Sequence, residues 1–254
     1  MINYLKNLFK NYLLNNSGIQ RHIILAEFPK SGGTYLHSIL NTLLSKQYKD
    51  VNYSNISTFS NGMDLDMVSP LNYKSVIDNY TRRQILIKTH KKWNSGFQKI
   101  ICLYREPVAV FKSFYNMKRS YGYKPSSFSE FIRGERGVKF YTNFYESYLN
   151  TPQYVRIMFV NYDEVIKSSQ LISDILYFTF GILIDKEEIN YVQKNNNFNK
   201  ALDSEIRYEK YDLRRIDNRS IKFVGNKKFN NEIQQKDIEY IKKSTKEIRK
   251  KLGF

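Results

Sequence analysis

The stretch AEFPKSGGTYLHSIL, residues Ala26 to Leu40, joins an apolar run to an amphipathic one through a glycine-rich turn. The apolar run HIILAEF that leads into the turn is short and ends at Pro29, which is typical of a buried central strand. Leucine and isoleucine recur at helical spacing from Leu36 onward, so a helix is predicted to begin near Thr34. A turn between a strand and a helix presents backbone N–H groups at the positive end of the helix dipole, where an anion can bind.

The turn itself, PKSGGT at residues 29–34, combines residue types that bind phosphate. Gly32 and Gly33 allow positive φ and close approach of the backbone to an anion. Ser31 and Thr34 add hydroxyl donors, and Lys30 adds a positive charge. No lysine follows the glycines, as one does in the nucleoside-triphosphate loop G-x-x-x-x-G-K-S/T. An ordinary glycine-rich turn with a surface lysine has the same local sequence, so this stretch alone does not decide between such a turn and an anion site.

Segments with strand and helix patterns alternate along the rest of the chain. Such alternation predicts an α/β fold, in which helices flank a central, mostly parallel sheet. We find neither an internal repeat nor a linker, so residues 1–254 are predicted to form a single domain. The predicted strands are 22–28, 84–90, 99–104 and 155–162. One helix is predicted to begin at Pro107, and further helices are predicted at 128–133, 138–149, 163–180 and 235–252.

The composition is that of a basic globular protein. Lysine and arginine number 41 against 24 aspartates and glutamates, which gives a formal net charge of +17. Such a field attracts anions, so nucleic acid, an acidic membrane face and a phosphorylated cofactor are all candidate partners. The one cysteine, Cys102, lies in the apolar run KIICLY, which excludes a disulfide framework and a cysteine metal site and favours a reducing, cytoplasmic compartment.

The N-terminal segment, residues 1–20, is predicted to form an amphipathic helix. Ile2, Leu5 and Phe9 lie on one face, with lysines between them. The segment lacks the continuous apolar stretch of a signal peptide or a spanning helix. We expect the helix to pack on its own domain, and peripheral contact with a membrane surface is the alternative.

The stretch QILIKTH brings a histidine to the carboxyl end of a predicted strand. The period of two puts Lys88 and His90 on the same face of that strand. Histidine can accept a proton near neutral pH, so His90 is a candidate general base. The other two histidines, His22 and His37, are interpreted as structural residues.

A second phosphate site is predicted in YREPVAVFKSFYNM. Arg105 follows a predicted strand, and Ser113 comes eight residues later, within the next helix. Ser113 could simply bond back to its own helix. A planar guanidinium and a hydroxyl at this spacing instead favour joint binding of a phosphate.

Together these stretches resemble the sulfotransferases that use 3'-phosphoadenosine-5'-phosphosulfate (PAPS). The family motif P-K-S-G-T-T-W resembles PKSGGTY at residues 29–35, with Gly33 in place of a threonine and Tyr35 in place of the tryptophan. The family's K-T-H is matched at residues 88–90, and its arginine and serine eight residues apart are matched in YREPVAVFKS. The three matches occur in the family's order.

The resemblance implies a P-loop-NTPase-like fold and direct transfer of a sulfuryl group without a metal. It implies that His90 is the general base, and that Lys30 and Lys88 stabilise charge on the leaving phosphate and the sulfuryl oxygens. Arg105 and Ser113 would bind the 3'-phosphate. The residues implied at the 5' end of the donor are Lys30, Ser31, Gly32, Gly33, Thr34 and Tyr35.

Weaker similarities extend the resemblance toward the C-terminus. NYDEV is similar to the family's Y-E-D, which implies that Tyr162 lies beside the adenine. RSIKFVGNKKFNNEI resembles the family's basic loop on the 3'-phosphate without a clean match, and Lys222 and Gly225 are its candidate ligands.

The sequence therefore predicts a sulfotransferase with PAPS as the anionic nucleotide donor and an acceptor hydroxyl or amine, with a weak preference for a carbohydrate. The loops in residues 51–72 are expected to bind the acceptor, and no nucleic-acid partner is expected. The alternatives are a basic nucleic-acid-binding protein and a P-loop-type kinase that needs magnesium and ATP. The sequence does not indicate the oligomeric state.

Overall fold

The computed structural model describes residues 19–47, 86–120, 127–195 and 229–254. Outside these ranges lie residues 1–18 of the predicted amphipathic helix, the loops 51–72, and the basic loop with Lys222 and Gly225. Within them, no helix has the length and apolar character required to cross a membrane.

The described strands are β1 (Ile23–Glu27), β2 (Leu86–Thr89), β3 (Lys99–Tyr104) and β4 (Arg156–Asn161). They form one sheet in the order β2-β1-β3-β4, and every pairing is parallel. All five residues of β1 are buried, as expected for a central strand of a parallel sheet. The predicted central parallel sheet is confirmed.

Helices follow β1, β3 and β4, whereas β2 leads to β3 through residues 90–98 without a helix. The bounds predicted for 128–133 and 138–149 agree with the structure, and the helix predicted to begin at Pro107 does so. The helices are α1 (Gly33–Gln47), α2 (Pro107–Ser120), α3 (Phe128–Arg133), α4 (Val138–Leu149), α5 (Tyr162–Val165), α6 (Ser169–Phe180), α7 (Lys186–Asn195), α8 (Gln235–Ser244) and α9 (Lys246–Leu252). Single 3₁₀ turns cover Ile19–Arg21 and Asn230–Glu232.

Two predicted helices are each divided in two in the structure. In 163–180, the hydroxyl of Ser168 accepts the N–H of Leu171 and starts a new helix. In 235–252, the hydroxyl of Thr245 donates to the carbonyl of Ile241 at 2.8 Å, and the helix breaks there. An N-cap such as Ser168 marks where a helix begins, and apolar periodicity does not reveal it.

The chain divides into two compact units. The first comprises Met1–Tyr104 and Phe144–Val192, and the second comprises Arg105–Asn143 and Gln193–Phe254. The sheet belongs to the first unit, and α2, α3, α8 and α9 belong to the second. The prediction of a single domain over the whole chain stays a prediction.

In the first unit, α1 packs on the sheet through a mainly apolar face that also includes the buried polar residues His37 and Asn41. The buried apolar side chains of this face are those that the helical spacing predicted: Leu36, Ile39, Leu40, Leu43 and Leu44. Burial of a leucine or isoleucine side chain contributes about 1.5–3 kcal/mol. This face therefore holds the N-terminus of α1, and the turn before it, against the end of β1.

In the second unit, the core is built from aromatic rings. Phe111, Phe114 and Tyr115 of α2 contact Phe131 of α3, with ring centroids 6.4, 5.3 and 5.6 Å from it. The buried face of α2 thus points into this cluster. Many of the aromatic residues that would fit a nucleic-acid surface are core residues here.

Candidate anion-binding site

The turn between β1 and α1 has an unusual backbone. Gly32 has a φ of 104°, and Lys30 has a φ of 74°. Among the described residues, Lys30 is the only non-glycine with positive φ. A side chain in this region costs about 1–2 kcal/mol, and such outliers concentrate at functional turns. The sequence-predicted turn is therefore a specific backbone conformation rather than a generic glycine-rich link.

Tyr162 lies directly against this turn. A Cβ atom on Gly32 would collide with the Tyr162 ring, so only glycine fits between the ring and the backbone. The rings of Tyr35 and Tyr162 meet edge to face, with centroids 6.1 Å apart. The predicted strand 155–162 ends at Asn161, whose side chain accepts the N–H of Asp163 and turns the chain into α5. That cap brings Tyr162 to the turn.

Glu27, the last residue of β1, places a buried carboxylate inside the turn. Its side chain is 3% exposed, and Oε1 lies 3.2 Å from the ammonium of Lys88. Oε2 accepts the N–H of Gly33, the first residue of α1, at 2.5 Å. We did not predict Glu27 as a site residue. The signal that could have found it is a charged residue in the otherwise apolar run HIILAEF.

The hydroxyl of Ser31 points into the protein. Ser31 is fully buried, and its Oγ lies 3.2 Å from the hydroxyl of Tyr145. Tyr145 donates its proton to the carbonyl of Leu103, so Ser31 is the donor to Tyr145. Ser31 therefore anchors the turn. Its hydroxyl would have to rotate away from Tyr145 before it could donate a hydrogen bond to a bound anion.

His90 stands immediately after β2, and its ring orientation identifies the basic nitrogen. Nδ1 lies 2.9 Å from the backbone carbonyl oxygen of Glu27. A carbonyl only accepts, so Nδ1 carries the proton and the lone pair lies on Nε2. The next residue, Lys91, is held by a hydrogen bond from the Tyr148 hydroxyl to its carbonyl at 2.7 Å and by its N–H to Thr89.

His37 is a buried residue of α1 and carries no charge at neutral pH. Burial and, to a smaller extent, the positive charge of Lys88 together lower its pKa from 6.5 to about 4. The Asn41 amide lies 3.2 Å from its Nδ1. The interpretation of His37 as a structural residue agrees with this environment.

Arg105 and Ser113 belong to the second unit. Arg105 follows the end of β3, and the hydroxyl of Tyr141 donates to its backbone carbonyl at 3.1 Å. Ser113 lies within α2 and is partly exposed, between the buried residues Phe111 and Phe114. Their joint binding of a phosphate stays a prediction.

No group of three or more histidine, cysteine, aspartate or glutamate side chains that could hold a metal occurs within the described ranges. Cys102 is buried in β3, where burial raises its thiol pKa well above the usual value.

A family model for the sulfotransferase domain matches residues 20–253. The chain belongs to the sulfotransferase family. This match covers the glycine turn, His90, Arg105 and Ser113 as well as the described C-terminal helices. No curated protein matches the chain in sequence.

Solved structures of a sulfotransferase and of retinol dehydratase are similar in fold to this family member. Mouse sulfotransferase SULT7A1 complexed with PAP is 16% identical, with a TM-score of 0.62 over 94% of this chain and 89% of that one. Retinol dehydratase with androsterone and PAP is 16% identical, with a TM-score of 0.59 over 92% and 82%. Retinol dehydratase with retinol and PAP is 17% identical, with the same TM-score and coverage. The predicted P-loop-like α/β fold is confirmed.

Proposed function

We propose that this protein transfers a sulfuryl group from PAPS to an acceptor hydroxyl or amine. The observation that carries the proposal is the group formed by the Lys30 turn, Lys88 and His90 at the carboxyl ends of β1 and β2. Ligands of parallel α/β sheets collect at this edge. The sulfotransferase family and the PAP complexes of proteins with this fold support the same donor.

In the proposed reaction, Nε2 of His90 takes the proton of the acceptor hydroxyl. The acceptor oxygen bonds to sulfur while the bond from sulfur to the 5'-phosphate oxygen breaks, and PAP leaves with that electron pair. General-base catalysis of this kind contributes about 10²–10⁴ in rate. The hydrogen bond from Nδ1 to the Glu27 carbonyl supports this role, because it orients the ring and stabilises it when Nε2 becomes protonated.

Lys30 and Lys88 would stabilise the negative charge that builds on the leaving phosphate and on the sulfuryl oxygens. Fixed charges aimed at developing charge are the largest single source of catalysis in many enzymes. Lys30 follows β1 and Lys88 belongs to β2, both in the first unit. The side chain of Lys88 is only 13% exposed. A partly buried ammonium is screened less by water than a surface one.

For the nucleotide, we propose that the turn residues Ser31 to Tyr35 bind the 5' end and that Tyr162 contacts the adenine. Tyr162 packs on Gly32 and Tyr35, which supports its assignment to the same ligand as the turn. Arg105 and Ser113 are proposed for the 3'-phosphate, together with Lys222 and Gly225 in the C-terminal basic loop. No metal is required by this scheme.

The test is a transfer assay with the donor supplied. Purified protein and PAPS labelled in the sulfuryl group are incubated with glycans, lipids and phenols in separate reactions without added metal. Label should pass to one acceptor class, with carbohydrates tested first. If PAP gives no thermal shift and no acceptor is labelled while single-stranded DNA binds in a salt-dependent manner, the protein is instead a nucleic-acid-binding protein.

A further inference from the structure

The carboxylate of Glu27 lies at the anion turn, and the proposed reaction assigns it no role. It is buried at the end of β1 and bonds to two groups that were expected to serve an anion, the N–H of Gly33 and the ammonium of Lys88. A buried carboxylate persists only when it is paired and hydrogen-bonded, and here it is both. Its position therefore shapes the turn.

The carboxylate also occupies a definite space. A Cβ atom on Gly33 would collide with Cδ and both carboxylate oxygens of Glu27. Gly33 stands where the motif P-K-S-G-T-T-W has a threonine. The volume that a threonine side chain would need at this position is thus filled by Glu27. Glu27 and Gly33 are therefore a matched pair: a side chain at position 33 requires the Glu27 carboxylate to move.

Unlike a threonine side chain at position 33, the Glu27 carboxylate that fills this space is charged, and it forms an ion pair with Lys88. β1 and β2 pair in register, with Leu25 opposite Lys88 and Ala26 opposite Thr89. This pairing sets Lys88 beside the end of β1, within 3.2 Å of Glu27 Oε1. A lysine side chain has many rotamers, and a largely buried ion pair restricts them.

We propose that Glu27 is a positioning residue that holds the Lys88 ammonium at the anion turn through this ion pair. The proposal rests on the proposed function, in which Lys88 stabilises charge on the transferred group. Glu27 touches neither substrate, and it acts on the rate through Lys88.

The experiment is a double-mutant cycle on turnover, with PAP binding as the second readout. The variants are Glu27→Gln, Lys88→Ala and the double variant, each compared at equal folded fraction from its thermal melt. Glu27→Gln keeps the size and the acceptor for the Gly33 N–H but loses the charge. We expect kcat to fall about 10- to 100-fold in Glu27→Gln, less than the roughly 10²–10³-fold loss caused by removing an oriented donor outright, because Lys88 itself remains. PAP binding should persist.

In the Lys88→Ala background, Glu27→Gln should cause no further loss of kcat. Two results would overturn the proposal: a kcat within about twofold of the parent in folded Glu27→Gln, or an equal loss of kcat with and without Lys88. If Glu27→Gln does not fold, Glu27→Asp replaces it in the cycle, because the shorter side chain keeps the charge and withdraws it from Lys88. Failure of the proposed function is a separate result, since the parent protein would then neither bind PAP nor transfer sulfate.

The matched pair is tested independently by stability. Gly33→Thr should lower the melting temperature when Glu27 is present, and the loss should be smaller in the Glu27→Ala background, where the space is vacated. Equal losses in both backgrounds would contradict the packing on which the inference is built.

Discussion

His90 donates its Nδ1 proton to the backbone carbonyl of Glu27 at 2.9 Å, and this bond joins the end of β2 to the end of β1. The acceptor is a main-chain atom of a fully buried strand, so the ring is oriented by the sheet itself. Nε2 is the nitrogen that can take a proton. Turnover should therefore depend on His90 far more than nucleotide binding does.

His90→Ala should lower sulfuryl transfer by about 10²–10⁴ and leave the Kd for PAP within about threefold, because the imidazole serves the acceptor. Single-turnover transfer and calorimetric PAP binding measure the two quantities. Lys92→Ala is the matched control, since Lys92 is exposed and lies two residues away. Full turnover in His90→Ala would show that another group is the base.

Arg105→Ala should weaken PAP binding by about 10- to 100-fold, the effect expected when a charged hydrogen bond to phosphate is lost. Isothermal titration with PAP measures the effect. Arg136→Ala, at an exposed arginine of the same unit, controls for the loss of one positive charge. If both variants weaken binding equally, Arg105 acts only through the overall charge of the protein.

Gly32→Ala should destabilise the protein more than Gly181→Ala does. Both glycines have positive φ, 104° and 70°, so each substitution incurs a backbone cost of about 1 kcal/mol. At Gly181 nothing lies within 4 Å of the new methyl group, whereas at Gly32 the methyl group meets the Tyr162 ring. Urea unfolding of both variants measures the difference, and equal costs would argue that Tyr162 moves aside freely.

Because His37 has a lowered pKa in the folded protein, the free energy of unfolding should decrease as the pH is lowered. Its pKa drops from 6.5 to about 4 on folding, so the unfolded chain binds a proton between these values that the folded protein does not bind. The free energy of unfolding should therefore decrease from pH 6.5 down to pH 4, by up to about 3 kcal/mol at about 1.4 kcal/mol per unit of pKa.

The contribution of His37 is isolated by comparison with His37→Gln over the same pH range. Carboxylates titrate in both proteins, so the difference between the two stability curves belongs to His37. The variant should be less stable at pH 7 and should show the smaller decrease toward pH 4. Parallel curves would mean that His37 is not desolvated as its burial indicates.

Helix faces, helix starts and the glycine turn could be predicted from the sequence because each depends on residues that are close together in the chain. The apolar spacing after the turn predicted the buried face of α1, and Pro107 marked the start of α2 through its fixed φ. The two glycines predicted a turn with positive φ, which occurs at Gly32 but not at Gly33, and the positive φ of Lys30 was not predicted. Periodicity failed to show that the helices predicted at 163–180 and 235–252 are each divided, at the N-cap Ser168 and at Thr245.

The sequence by itself determined the α/β class, the turn at the end of β1 and the motifs of a sulfotransferase, because each depends on residues close together in the chain. Only the tertiary structure decided what the turn contains. The parallel pairing of β1 with β2 brings Lys88 and His90 to Glu27, and the cap at Asn161 brings Tyr162 to Gly32. These contacts join residues far apart in the chain, so they exist only once the strands have paired and the helices have packed.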